Sequence, residues 1–96
     1  MEQRTRDLEW VSRVRGARIS AVAQVASGEP FRHVLRQLRV DQFGGRTYLV
    51  ALTDVHSCLG KVAGRRLMAS IGLEPLVRVD ELTDDHIEAL SQCCGG

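Results

Sequence analysis

Apolar positions recur along this chain at helical spacing, and no stretch alternates well enough to read as a strand. Leu8, Val11 and Val14 lie three apart within residues 4–15, which predicts a first helix with Arg13 and Arg15 near its end. Gly16 then stands where a helix-terminating residue belongs. If the helix ran unbroken to Ala26, Arg15 and Arg18 would fall within the stripe formed by Leu8, Val11, Val22 and Val25. The pattern therefore predicts a break near Gly16 and a short second helix over 20–26. Ser27-Gly28-Glu29-Pro30 reads as a turn, with Pro30 suited to the first turn of the next helix. Phe31, Val34, Leu35 and Leu38 form that helix's apolar face. Arg32, Arg36 and Arg39, spaced by four and three, share its other face and read as free to meet a partner.

Residues 40–45 read as a loop. A helix over 46–56 is expected next, followed by a tight turn around Gly60 and a helix over 61–70 that Gly72 ends. Thr83 caps a last helix whose first turn holds Asp84 and Asp85, acids that complement the helix dipole. Its apolar edge, Ile87 and Leu90, is expected to pack with Leu73, Leu76 or Val79. Residues 18–25 alternate weakly, but their alanines favour helix. The fold class is all-α: short N-terminal helices, a helical pair around Gly60, and a short C-terminal helix.

Ninety-six residues suit one small domain over 1–96, divided into N-terminal helices (1–45), a helical module (46–92) and a tail (93–96). Four aromatics, Trp10, Phe31, Phe43 and Tyr48, leave the core to Leu, Val, Ile and Ala. No apolar run approaches the roughly 20 residues that span a bilayer, and no signal-peptide pattern opens the chain. A cytoplasmic protein without a membrane partner is expected.

Charge changes the picture. The net formal charge is +1, yet residues 1–78 hold all 13 basic groups against seven acids, whereas residues 79–96 hold five acids and no base. Twelve of the bases are Arg, whose planar fork suits phosphate oxygens; the remaining one is Lys61. Lys61 follows the turn at Gly60, and Arg65 and Arg66 come one helical turn later. Backbone amides and cationic side chains there converge on one place, an arrangement suited to a phosphate. The candidate nucleic-acid-binding set is Leu59, Gly60, Lys61, Val62, Arg65 and Arg66, together with Arg46. A second basic surface is offered by Arg32, Arg36 and Arg39, or by Arg4, Arg13 and Arg15. A Gly-Lys turn alone is also an ordinary helix-helix connection, and Arg at helical spacing is also an ordinary solvated face.

Residues 47–92 resemble the helix-two-turns-helix module, close to that of the small-subunit ribosomal protein that binds RNA in the subunit head. The matching pieces are Ala51-Leu52-Thr53, Leu59-Gly60-Lys61, Ile71-Gly72-Leu73 and Arg78-Val79-Asp80-Glu81-Leu82-Thr83-Asp84-Asp85. The 45 or so residues before the module resemble the actinobacterial-type integration host factor, a small nucleoid-associated protein, through the segment from Arg6-Asp7-Leu8 to Gly16. Ser57 and Cys58 depart from the Pro or Gly usual at the hairpin's entrance, and residues 40–45 look like extra length. The resemblance implies a non-enzymatic, nucleoid-located protein that binds the backbone of double-stranded DNA without strong sequence preference and bends or bridges it. A protein-interaction adaptor, with a partner at the acidic C-terminal segment, and a structural RNA-binding role are the alternatives.

Other chemistry is weakly supported. His56, Cys58, Cys93 and Cys94 lack the spacing of a structural zinc site, so no metal or cofactor is expected. Three cysteines, two of them adjacent, make no disulfide framework. His33 and His86 read as surface residues. No nucleophile-base set or phosphate-loop motif is present, which argues against catalysis. Some DNA-repair glycosylases share the module, but the resemblance to them also implies an N-terminal proline nucleophile, where this chain reads Met1-Glu2.

Overall fold

The computed structural model describes residues 2–92, and the side chains from Glu9 onward. Five α-helices make up the framework: α1 (Glu2–Ala26), α2 (Phe31–Val40), α3 (Leu49–Thr53), α4 (Gly60–Ser70) and α5 (Asp84–Ser91). Short 3-10 turns at Gly44–Arg46 and Val79–Glu81 join them. Among the described residues there is no strand, only an isolated antiparallel bridge between Tyr48 and Arg78. The all-α class holds.

The expected break at Gly16 does not occur. α1 is continuous for 25 residues, which at 1.5 Å per residue is roughly 37 Å. The reason is that α1 is not packed along a single stripe. It buries Ala21 and Val25 in the core, while Val11 and Ile19 remain 51% and 59% exposed. Arg15 and Arg18 therefore meet no core at all and are exposed. A glycine costs a helix only about 1 kcal/mol relative to Ala, and nothing crowds Gly16. The helix ends instead at Gly28, whose φ of +95° is the left-handed conformation that glycine adopts freely.

α2 follows as read, with Phe31, Val34, Leu35 and Leu38 all buried. Its apolar face is the centre of the molecule, since α1, α5 and both 3-10 turns pack on this helix. Leu49, Leu52, Met68, Val79, Ile87 and Leu90 complete the core, each 2% exposed or less. Each such side chain contributes on the order of 1.5–3 kcal/mol by leaving water. α5 reaches the core through Ile87 and Leu90 and packs mainly on α2. Of its expected neighbours, Val79 is in the core, Leu73 lies at its margin, and Leu76 is 68% exposed.

The helix expected over 46–56 is shorter than its pattern. Arg46 closes a 3-10 turn, and α3 spans only Leu49–Thr53. Tertiary contacts override propensity here. Leu49 N donates to Val77 O at 2.9 Å and Val79 N donates to Thr47 O at 2.9 Å. These bonds hold Thr47 and Tyr48 extended beside residues 77–79, so that α3 begins only at Leu49. Nor is 40–45 a free loop. Asp41 Oδ1 accepts from the amides of Phe43 and Gly44 at 2.8 and 2.7 Å, and these bonds pull the Asp41 carboxyl below its ordinary pKa. Gly44 and Gly45 are buried, and a Cβ on Gly44 would run into the Leu38 side chain.

α5 begins as the sequence indicates. The Thr83 hydroxyl accepts from His86 N at 3.2 Å, and His86 Nδ1 accepts from Thr83 N at 3.1 Å. His86 thus takes the reciprocal role that Glu or Gln fills in the usual capping box, and it is partly buried rather than a plain surface residue.

Candidate nucleic-acid interface

Three devices shape the turn between α3 and α4. At its far side, Gly60 has a φ of +76°, and no atom lies within 4 Å of where a Cβ would be. Conformation, not space, is what asks for glycine at this position. At its base, α3 and α4 cross closely, because a Cβ on Gly64 would come within 2.8 Å of Thr53 Cβ. The third is His56, whose Nδ1 accepts from Cys58 N at 3.1 Å. Its ring packs against Phe31, with centroids 4.8 Å apart, and burial pushes its pKa below the ordinary value. The turn is thereby tied to the first residue of α2. Gly64 was missed in the sequence reading; a glycine in the middle of an otherwise good helix was the available signal.

The start of α4 differs electrostatically from the start of α5. Leu59 occupies the N-cap, with no side chain to accept from the first amides and no acid in the first turn. The first amides of a helix have no intrahelical partner, and the dipole adds about half a positive charge there. Lys61 adds a full charge in the same turn, is exposed, and makes no ion pair among the described residues. Exposed Val62 and the amides of Gly60 and Lys61 share this end of the helix, and exposed Arg66 follows Val62 one turn later on the same face. α5, by contrast, has Thr83, Asp84 and Asp85 to satisfy its N-terminus. Positive potential is left uncompensated at α4 alone of the two.

Arg65 belongs to a different arrangement. Its Nη1 donates to Asp54 Oδ1 at 3.1 Å and to Lys61 O at 2.8 Å, so it straps the end of α3 to the first turn of α4. It is engaged within the fold, unlike Lys61 and Arg66.

Of the second surface read from the sequence, the expectation that the α2 arginines are free is corrected. Arg32, Arg36 and Arg39 share one face, as expected, but that face is not free. Arg32 Nη2 donates to Glu88 Oε2 at 2.9 Å, and its Nε lies 2.8 Å from Oε1. Arg36 Nη2 donates to the same carboxylate at 3.0 Å. Arg39 Nη2 donates to Asp84 Oδ1 at 2.6 Å and Nη1 to Leu82 O at 3.3 Å. The charge segregation along the chain closes on itself: acids of α5 neutralise the basic face of α2. Each exposed pair stabilises by only about 0.2–1 kcal/mol, but together two carboxylates engage all three guanidinium groups and leave the set with one net positive charge.

Arg46 lies elsewhere. Its guanidinium sits 4.6 Å from the centroid of the Trp10 ring, and Trp10 packs edge-on against Phe43 with centroids 4.9 Å apart. Arg13 covers Phe43 from 5.4 Å. The structure therefore does not bring Arg46 to the Gly60 turn. Val25, Phe31, His56 and Ser57 share one recess near that turn, whereas Val11 and Val14 share a groove with Arg46. The intervening 11–14 residues of α1 separate the two by roughly 16–21 Å. Arg4 and the cysteines at 93 and 94 lie outside the described side chains. Cys58 is disulfide-bonded, which corrects the expectation of a chain without a disulfide. Among the described residues no group of three or more His, Cys, Asp or Glu side chains could hold a metal ion, and no helix is long and apolar enough to cross a membrane.

No family model and no curated protein matches the chain. Among solved structures, sIHF bound to an 8-bp palindromic DNA matches with a TM-score of 0.78 at 24% identity, over 91% of this chain and 99% of that one. Long α1 and the α3–α4 pair are thus parts of a fold that the two proteins share.

Proposed function

We propose that the chain is a non-enzymatic protein of the integration host factor type that binds double-stranded DNA through its sugar-phosphate backbone. The observation that carries this reading is the uncapped start of α4. Uncapped amides and an exposed lysine follow a glycine held at φ +76°, the first turn of α4 carries no acid, and the nearby Asp54 carboxylate is taken up by Arg65. An anion supplies there what the fold itself leaves out. Backbone contacts position a duplex without reading its bases, so sequence preference is low. Lys61 and Arg66 serve as phosphate contacts, and Val62 lies beside them. The DNA carried by sIHF, whose fold this chain shares, supports duplex DNA over double-stranded RNA.

Bending or bridging requires a second contact with the backbone. With the arginines of α2 paired to Glu88 and Asp84, that role passes to the other basic surface, Arg13 and Arg15 on α1. The same pairing lowers the appeal of an acidic C-terminal segment as a protein-docking site. Titration of the protein with duplex DNA and double-stranded RNA across a salt series tests the reading. Tighter binding to DNA, with an affinity falling steeply with salt and little dependent on sequence, is the expected result. Binding that ignores salt, or that prefers RNA, refutes it.

A further inference from the structure

The groove between α1 and the Gly44–Arg46 turn holds more than the one arginine, Arg15, that the function proposed above uses. It encloses about 380 Å³ and is lined by Trp10, Val11, Val14, Arg15, Arg18, Arg46, Thr47 and Tyr48. Three properties set it apart from an ordinary surface dent. Its cations have no acid partners: Arg15 and Arg18, three apart on α1, are exposed without an ion pair among the described residues. Arg46 is held in place by the Trp10 ring and not by a carboxylate. Apolar surface stays uncovered beside these charges, with Val11 51% and Tyr48 50% exposed. Most telling is Thr47. This residue is 3% exposed, and its Oγ1 is buried with no hydrogen-bond partner. A buried hydroxyl left unsatisfied costs on the order of 1–3 kcal/mol, and apolar valine would fill the same space without that cost.

We infer that this groove is a binding site for a small anionic ligand with a flat apolar body, of the class and size of a nucleoside monophosphate. The volume falls in the range of small-molecule sites, about 300–1,000 Å³. Arg15, Arg18 and Arg46 supply forks for a phosphate. Val11, Val14 and the Tyr48 ring supply the apolar wall for a base, and Thr47, whose buried Oγ1 lacks a partner, is among the lining residues. A duplex backbone would engage the arginine rim but leave the apolar wall uncovered, so a free nucleotide accounts for more of the site. The inference does not depend on the Gly60 turn, which lies roughly 16–21 Å away along α1, and it shares only Arg15 with the proposed second DNA contact.

Trp10 is the sole tryptophan and lines the groove, so its fluorescence reports occupancy directly. The full chain is titrated with AMP and GMP at constant ionic strength, with inorganic phosphate and adenosine as the two halves of the ligand, and calorimetry as a second readout. A saturable response to nucleotide is expected, with either half binding at least about tenfold more weakly. Arg15→Ala combined with Arg18→Ala weakens the nucleotide by about tenfold or more and leaves the melt unchanged, because neither side chain is packed in the core. Thr47→Val also weakens it while the fold becomes no less stable, and Lys61→Ala leaves it unaltered. Absence of saturation up to about 5 mM overturns the inference. So does an equal response to phosphate alone, a response that survives the double arginine variant, or one produced by an 8-bp duplex and not by nucleotides. A failure of DNA binding in Lys61→Ala bears on the Gly60 turn and leaves this test untouched.

Discussion

Replacing Lys61 with alanine removes one positive charge from the start of α4 and nothing else. The side chain is exposed and has no partner among the described residues, so the melt should stay within the roughly ±0.5 kcal/mol typical of surface substitutions. If Lys61 neutralises one phosphate, its loss shallows the slope of log K against log salt by about 0.9. Between 50 and 200 mM salt that slope change is worth about 3.5-fold in affinity, within reach of an anisotropy titration on a labelled duplex. The loss should be alike for unrelated sequences, because a phosphate contact reads no base. Arg65→Ala, four residues on, is the internal control. Its guanidinium is bound to Asp54 and to Lys61 O, so its removal should cost about 0.2–1 kcal/mol of stability. For a domain of this size that lowers the melting temperature by about 1–8 °C. Its effect on the salt slope should be smaller than that of Lys61→Ala. A wild-type slope in Lys61→Ala would refute the reasoning. An Arg65→Ala variant with the larger slope change and an unmoved melt would refute the division of roles between these residues.

Gly60→Val forces a β-branched residue to φ +76° and should cost about 1–3 kcal/mol together with DNA affinity; an unchanged melt and affinity would show that the turn tolerates other backbone shapes. Glu88→Ala releases Arg32 and Arg36 from their shared carboxylate, so binding should tighten and the salt slope steepen by up to about two phosphates; an unmoved slope with the fold intact by circular dichroism would show that the α2 face does not reach DNA. Burial lowers the pKa of His56 in the fold, so the unfolded chain binds its proton more readily. Stability is therefore full above the unfolded pKa of about 6.5 and falls as pH drops below it toward the lowered folded value. Denaturant midpoints of wild type and His56→Phe across that window should diverge in slope; parallel curves would argue that His56 does not titrate between the two states. Gly64→Ala should push α4 off Thr53 and lower both stability and DNA affinity, measured by melting and anisotropy; a neutral outcome would mean the crossing relaxes without cost.

Local rules carried much of this molecule in its sequence. Helical spacing placed α2 and the glycines at 28, 60 and 72, all three of which have positive φ, because turn geometry selects for a residue without a Cβ. Thr83 with two acids fixed the start of α5 for an equally local reason, the unsatisfied amides of a first turn. What failed were the inferences that needed to know what a face would meet. α1 runs through Gly16 because no core exists along its exposed middle to punish Arg15 and Arg18. The arginines of α2 were correctly placed on one face, but their availability depended on Glu88 and Asp84, some 45–56 residues away. Arg46 was read as one of the nucleic-acid-binding residues without a place in the fold, and the Trp10 ring holds it at a groove apart from the Gly60 turn. The sequence by itself determined where backbone conformations change and where charge resides. Only the tertiary structure decided which charges neutralise one another, because that depends on which helices pack together, and long-range packing leaves no period along the chain.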